Sequence, residues 1–151
     1  MKPIFCVSAV SGLLVLLLAG AGLWWLGSRP PRVDPRDPAQ VSAGAAVYAR
    51  SCAVCHGVNL EGQPNWQSRL PSGRLPAPPH DASGHTWHHP DSVLFEIVKN
   101  GFGKIVPSGY ESDMPTFAGV LTDQQIADVL AYIKSRWPGE VQARQARANA
   151  E

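Results

Sequence analysis

The segment "SCAVCHG", residues 51–57, constrains this chain more than any other part of it. Cys52 and Cys55 stand three positions apart, and His56 follows the second cysteine directly. Three kinds of site contain a cysteine pair at this spacing: a redox-active dithiol, half of a zinc site, and a covalent attachment point for haem. Each needs a different chain around it, so the surrounding sequence has to discriminate among them.

A thioredoxin-like dithiol begins a helix that follows a central strand in a βαβ unit. In this chain the cysteine pair ends an alanine-rich segment that starts at Val41, in which Val41, Ala45, Tyr48 and Cys52 recur at helical spacing. No alternating strand pattern precedes it. The sequence therefore disfavours the dithiol interpretation.

A zinc site needs four ligands. Cys52 and Cys55 could be joined by two histidines from a later loop, which contains His80, His85, His88 and His89. This is the competing interpretation, but it gives His56 no role.

Haem attachment uses all three residues. Two thiols at this spacing can form thioethers with the haem vinyl groups, and the histidine that follows can bind the iron. Met114 is the candidate for the opposite axial position, because Met1 precedes the apolar N-terminal segment and the chain has two methionines. A lone methionine usually fills a core, but a thioether is also a soft, neutral iron ligand.

The four histidines of the later loop lie within ten residues and surround Trp87. The favoured interpretation is a polar loop whose histidines form local hydrogen bonds. Copper or zinc binding and a substitute axial ligand, which would give a bis-histidine haem, remain alternatives.

The N-terminal segment predicts a membrane anchor. Residues 3–27 have no charged side chain and are long enough to cross a bilayer, which takes roughly 20 residues. We predict a transmembrane helix within residues 1–27, with cleavage of a signal after Ala21 as the alternative. Residues 28–40 contain four prolines and predict an extended linker. Covalent haem attachment takes place outside the cytoplasmic membrane, which predicts a single-pass protein with a periplasmic haem domain.

Residues 41–138 predict a small helical domain. In "PDSVLFEIVKNG" Asp91 is a candidate N-cap and Gly101 a candidate stop. Thr122 and Gln125 form a capping box before the last apolar stripe, which comprises Ile126, Val129, Leu130, Ile133 and Trp137. Residues 139–151 have no apolar stripe and predict a polar tail that forms a frayed or solvated helix. The aliphatic core is thin for a domain of this size, and a large apolar prosthetic group would complete it.

Three segments together resemble the class I c-type cytochromes: "GAAVYARSCAVCHG", "YESDMPTFAG" and "TDQQIADVLAYIKSRWP". The resemblance covers residues 41–138. It implies an all-α fold of three to four helices packed around one covalent haem, with the first and last helices crossing near Gly44, Tyr48 and Tyr132. The site residues that it implies are Cys52 and Cys55 as attachment points, His56 and Met114 as axial ligands of the iron, and Pro78, whose carbonyl would accept a hydrogen bond from the proximal histidine.

The expected function is electron transfer between other redox proteins. With both axial positions filled, the iron offers no open position to a small-molecule substrate, and no catalytic constellation stands out elsewhere in the chain. We therefore expect a carrier and not an enzyme. A net charge of +1 gives no indication of nucleic-acid binding. The alternatives are a haem subunit of a dehydrogenase or oxidase complex and a histidine-rich copper or zinc protein.

Overall fold

Helix α1 begins three residues before the predicted domain boundary. In the computed structural model, which describes residues 30–106 and 109–150, α1 spans Pro38–Ser51. The Asp37 carboxylate caps it by accepting the backbone N–H groups of Ala39 and Gln40. Proline suits the first helical turn, where its missing N–H has no intrahelical partner. The last three residues of the predicted linker are therefore helical.

Four further helices follow α1, and two single 3₁₀ turns separate them. Helix α2 is one turn, Ala53–His56; α3 spans Asp91–Asn100, α4 spans Asp123–Ser135 and α5 spans Gly139–Ala148. The 3₁₀ turns are Thr86–His88 and Phe102–Lys104. The described residues contain no strand, only an isolated bridge between Ala118 and Leu121. The all-α prediction is confirmed, with five helices in the described part of the chain in place of three or four.

Helices α1 and α4 form the main packing interface. A Cβ atom added to Gly44 would lie 1.9 Å from the carbonyl oxygen of Asp128 and 2.9 Å from Cβ of Tyr132. The rings of Tyr48 and Tyr132 are 5.4 Å apart at the same crossing. Glycine lets the two helix backbones approach closely. The crossing point implied by the resemblance is confirmed.

The core divides into two clusters on either side of α4. One joins α1 to α4 and α5 through residues that include Val47, Tyr48, Val129, Ile133 and Trp137. The other joins α3 to α4 through Leu94, Ile126 and Leu130. All five residues of the predicted apolar stripe are buried, and the Thr122–Gln125 capping box is present. These predictions from local sequence are confirmed.

Helix α5 corrects the prediction of a solvated tail. It packs on the core through Val141, and Gln145 is only 1 % exposed. The amide of Gln145 donates to the Asp91 carboxylate at 2.7 Å and to the His89 carbonyl at 3.3 Å. A polar residue can be buried when its hydrogen bonds are satisfied, so the helix docks without an apolar stripe.

Asp91 also differs from its predicted role. Pro90 holds the N-cap position of α3, and Asp91 is the first helical residue. Its carboxylate accepts two hydrogen bonds of 2.7 Å from Nζ of Lys134, which is almost fully buried. Asp91 therefore ties the start of α3 to the end of α4 and, through Gln145, to α5.

The predicted membrane segment, residues 1–27, lies outside the described residues. Among the residues that are described, no helix has the length and apolar character that a bilayer span requires.

Candidate functional site

The cysteine–histidine motif forms a single helical turn at the end of α1. The N–H of Cys52 still bonds to the Tyr48 carbonyl at 2.9 Å, and the carbonyl of Cys52 accepts the N–H groups of Cys55 at 3.1 Å and of His56 at 2.9 Å. Residues three apart share one face of a helix. Both cysteines are free thiols, with Cys52 partly buried and Cys55 exposed. Burial raises the pKa of Cys52 to about 11, which keeps this thiol protonated at neutral pH.

His56 is buried and held by a hydrogen bond from its ring. Its Nδ1 lies 2.8 Å from the carbonyl oxygen of Pro78, which can only accept. Burial lowers the pKa of His56, although the Pro78 hydrogen bond acts in the opposite direction. A neutral imidazole that donates through Nδ1 keeps the lone pair of Nε2 free for a metal. Geometry and charge state therefore suit His56 to bind an iron.

His80 packs directly on His56. The two rings stack with centroids 3.8 Å apart and planes inclined by 18°. The backbone of His80 is fixed on both sides, because its N–H donates to the Leu60 carbonyl at 2.8 Å and its carbonyl accepts from the Trp137 indole at 2.7 Å. Burial lowers the pKa of His80 well below its ordinary value, so its ring is neutral.

The ring of His80 supplies the test of whether a prosthetic group fits. Its Nδ1 is buried and has no hydrogen-bond partner among the described residues. A buried polar atom without a partner is rare in a native protein and calls for an explanation such as a bound group. Two thiols on one turn and a neutral imidazole with a free nitrogen form a donor set that fits a haem, and the orphaned atom of His80 lies beside them.

Met114 lies in the loop between the second 3₁₀ turn and α4. It is partly buried, and its N–H donates to the Ser112 hydroxyl at 3.1 Å. The structure thus brings four of the predicted site residues together, Cys52, Cys55, His56 and Pro78, and places the fifth on a separate loop. The roles of all five toward a haem stay predictions.

The histidines of the long loop between α2 and α3, residues 57–90, contact aromatic rings. His85 stacks on Trp66 with centroids 5.4 Å apart, and His88 stacks on Trp87 at 3.7 Å. Within residues 30–106 and 109–150, no three His, Cys, Asp or Glu side chains are gathered so as to hold a metal ion. The zinc site that would combine Cys52 and Cys55 with two of these histidines is not formed there.

Tyr48 was missed by the reasoning from sequence as a residue of the site. Its hydroxyl lies 3.0 Å from the Gly57 carbonyl and 3.3 Å from the His56 carbonyl, and so holds the end of the motif turn. The available signal was its position four residues before Cys52 on the apolar face of α1. Burial raises the pKa of Tyr48, which keeps its hydroxyl a donor.

Comparison with known proteins agrees with this arrangement. The chain is similar to the gluconate 2-dehydrogenase cytochrome c subunit of Pantoea cypripedii, with 34% identity over 95 residues. That match covers 62% of this chain and 20% of the relative, so the chain spans about a fifth of the relative's length. No solved structure matches the chain significantly. The family model described as cytochrome c matches residues 41–137, from the start of the predicted domain to the last residue of the predicted apolar stripe. Because that match covers most of the chain and contains the whole cysteine–histidine turn, the chain belongs to the cytochrome c family, whose members carry a covalent haem.

Proposed function

We propose that this protein is a membrane-tethered, periplasmic monohaem cytochrome that passes single electrons between redox proteins. Membership of the cytochrome c family supports electron carriage. The single haem rests on the single cysteine–histidine motif in the sequence. The tether and the location rest on the apolar segment of residues 3–27 and on the chemistry of haem attachment outside the cytoplasm.

The resemblance to the class I c-type cytochromes and the hydrogen bond on His56 support the following residue roles. Cys52 and Cys55 would hold the haem through thioethers, and His56 and Met114 would bind its iron. When bound, the haem supplies a one-electron couple whose potential is raised by a histidine–methionine ligand pair. The hydrogen bond from His56 Nδ1 to the Pro78 carbonyl fixes the tautomer and the orientation of the ring, which would present Nε2 to the iron.

The observation that carries the proposal is this hydrogen bond of 2.8 Å on a buried histidine that directly follows two free thiols. A ring held in this way would need little movement when the iron bound to it changed its oxidation state. Two protein ligands would leave the iron no open position. A carrier, and not an oxygen- or peroxide-activating enzyme, follows from that ligand set.

The experiment uses the full chain, matured with haem and purified from membranes. We expect a reversible one-electron potentiometric titration and the weak far-red absorbance band that methionine-ligated ferric haem shows. Met114→Ala should abolish the band and allow imidazole to bind rapidly. Thr116→Ala, an exposed position in the same loop, is the matched control and should retain the band. A wild-type protein that lacks the band and binds imidazole as readily as Met114→Ala would overturn the proposed ligand set.

A second candidate function is a haem subunit of a dehydrogenase complex. It is favoured by one observation, the similarity to a relative whose name describes a dehydrogenase cytochrome c subunit. Gentle solubilisation of membranes that contain the native protein tests it. Stoichiometric co-purification with a dehydrogenase favours the subunit, whereas migration as a lone haem protein favours the independent carrier.

A further inference from the structure

Arg74 links the long loop after the haem motif to the loop that carries Met114. Its Nη1 lies 2.5 Å from Oδ1 of Asp113, and its Nε and Nη2 each lie 3.2 Å from Oε2 of Glu111. The guanidinium therefore contacts two carboxylates that are 37 and 39 residues away in sequence. A planar guanidinium used in this way fixes the relative orientation of both partners as well as their distance.

Both carboxylates lie just before the candidate axial ligand in the sequence. Asp113 directly precedes Met114, and Glu111 stands three residues before it. Ser112, between them, accepts the N–H of Met114. The three residues before the methionine thus hold its backbone from one side, and Arg74 anchors two of them.

The backbone of Arg74 is itself fixed by a tight turn. The N–H of Leu70 donates to the Arg74 carbonyl at 2.9 Å, and the N–H of Gly73 donates to the Leu70 carbonyl at 2.8 Å. Gly73 has φ = +84°, a conformation that side-chain-bearing residues rarely adopt. Arg69 closes the same turn through a 2.6 Å bond from Nη1 to the Gly73 carbonyl.

The turn that holds Arg74 is also connected to the part of the site that contains His56. Three residues after Arg74, Ala77 exchanges hydrogen bonds with Gln63: its carbonyl accepts the Gln63 N–H at 2.9 Å, and its N–H donates to the Gln63 side chain at 3.0 Å. The next residue is Pro78, which accepts from His56. A short segment of chain, held by these hydrogen bonds, therefore joins Pro78, the partner of His56, to Arg74, which binds the two carboxylates of the other loop.

We propose that Arg74 is a positioning residue that, by bridging Glu111 and Asp113, holds the methionine loop, residues 111–114, in the position from which Met114 would bind the iron. This inference rests on the proposed function, because it requires Met114 to bind the iron. Displacement of Met114 by an external ligand requires its loop to move, and movement of the loop breaks the contacts of Arg74. Loss of the bridge therefore favours the displaced state and raises the apparent affinity for that ligand.

The test is an imidazole titration of the ferric, haem-loaded protein, followed by loss of the far-red band. Arg74→Ala should raise the apparent affinity for imidazole about threefold to tenfold, the range expected for two exposed ion pairs acting together. Arg74→Lys should rescue it only in part, because an ammonium does not bridge two carboxylates as the guanidinium fork does. The difference between wild type and Arg74→Ala should shrink in molar salt, where the Debye length is about 3 Å.

Two controls separate the bridge from general damage to the loop. Arg69→Ala loosens the turn that holds Arg74 but leaves the bridge itself in place, so it should raise the imidazole affinity clearly less than Arg74→Ala does. In a Glu111→Gln, Asp113→Asn background, Arg74→Ala should add almost nothing, because its partners are already lost. Urea midpoints of all variants verify that they fold.

The outcomes distinguish the inference from the proposed function. A wild-type protein without the far-red band contradicts methionine ligation, whatever Arg74 does. A wild-type protein that has the band, with Arg74→Ala binding imidazole no more tightly than wild type, overturns the role of Arg74 alone. Equal effects of Arg69→Ala and Arg74→Ala, or full additivity with the Glu111 and Asp113 changes, also overturn it.

Discussion

Replacement of Gly44 by alanine tests the helix crossing that positions the haem motif. The new Cβ would lie 1.9 Å from the Asp128 carbonyl oxygen and 2.5 Å from its carbon, and Cβ atoms almost never approach a neighbour within 3.0 Å. The contacting atoms belong to the α4 backbone, so no side-chain rotation relieves the overlap. Helices α1 and α4 would have to separate by about 1 Å or more at the crossing.

The magnitude follows from two opposing effects. Overpacking of a closely fitted interface costs about 1–3 kcal/mol, and the involvement of two backbones places Gly44→Ala near the upper end. Replacing a glycine inside a helix returns roughly 1 kcal/mol. The net loss in free energy of unfolding is about 2 kcal/mol, which lowers the melting temperature by about 8 °C in a domain of this size.

The assay is urea denaturation of the haem-loaded protein, followed by circular dichroism. Gly139→Ala is the matched control, because a Cβ at this first residue of α5 meets no atom within 4 Å. It should leave the stability unchanged or slightly increased. A Gly44→Ala protein within about 0.5 kcal/mol of wild type would refute the close approach of α1 and α4.

Two further predictions concern the polar contacts around α3 and the long loop. Lys134→Met removes the ammonium partner of the Asp91 carboxylate but leaves its hydrogen bonds from the amides of Gln145 and Asn149. We therefore expect the free energy of unfolding, measured by urea denaturation, to fall by about 2 kcal/mol. An unchanged midpoint would contradict the pairing. The pKa values of His85 and His89 are lowered, chiefly by burial and then by neighbouring histidines. Below a pH of about 6.5, the unfolded chain therefore binds more protons at these two residues than the folded chain does. Stability should fall as the pH drops from about 7 to 5, with a smaller slope in His85→Asn, His89→Asn; an equal slope would contradict this origin.

The features that sequence predicted correctly depend on residues close together in the chain. The capping box of Thr122 and Gln125, the end of α3 at Gly101 and the apolar stripe from Ile126 to Trp137 each depend on one helix and the residues next to it. The crossing at Gly44 is a long-range contact, and it was available only because three motifs together resembled a family with a known arrangement.

The features that sequence did not predict depend on polar partners far away in the chain. Gln145 is buried because Asp91 and His89 satisfy it from positions 54 and 56 residues earlier. A pattern of apolar residues carries no signal for a helix docked in this way, so the sequence predicts a solvated helix where α5 packs on the core. Arg74 and its carboxylates are likewise separated by more than 35 residues. Specific polar pairing, unlike apolar periodicity, becomes visible only when the fold brings the partners together.

The most direct test of the account is the intact mass of the full chain produced in a host that matures c-type cytochromes, together with its pyridine haemochrome spectrum. We predict one haem per chain, still attached after acid–acetone extraction, and a haemochrome typical of two thioether bonds. Cys52→Ser, Cys55→Ser should lose the covalent haem. Cys6→Ser, which replaces the third cysteine of the sequence within the apolar segment of residues 3–27, should keep it. A colourless wild-type protein without the mass of one haem would contradict the assignment of Cys52, Cys55 and His56 as a haem site.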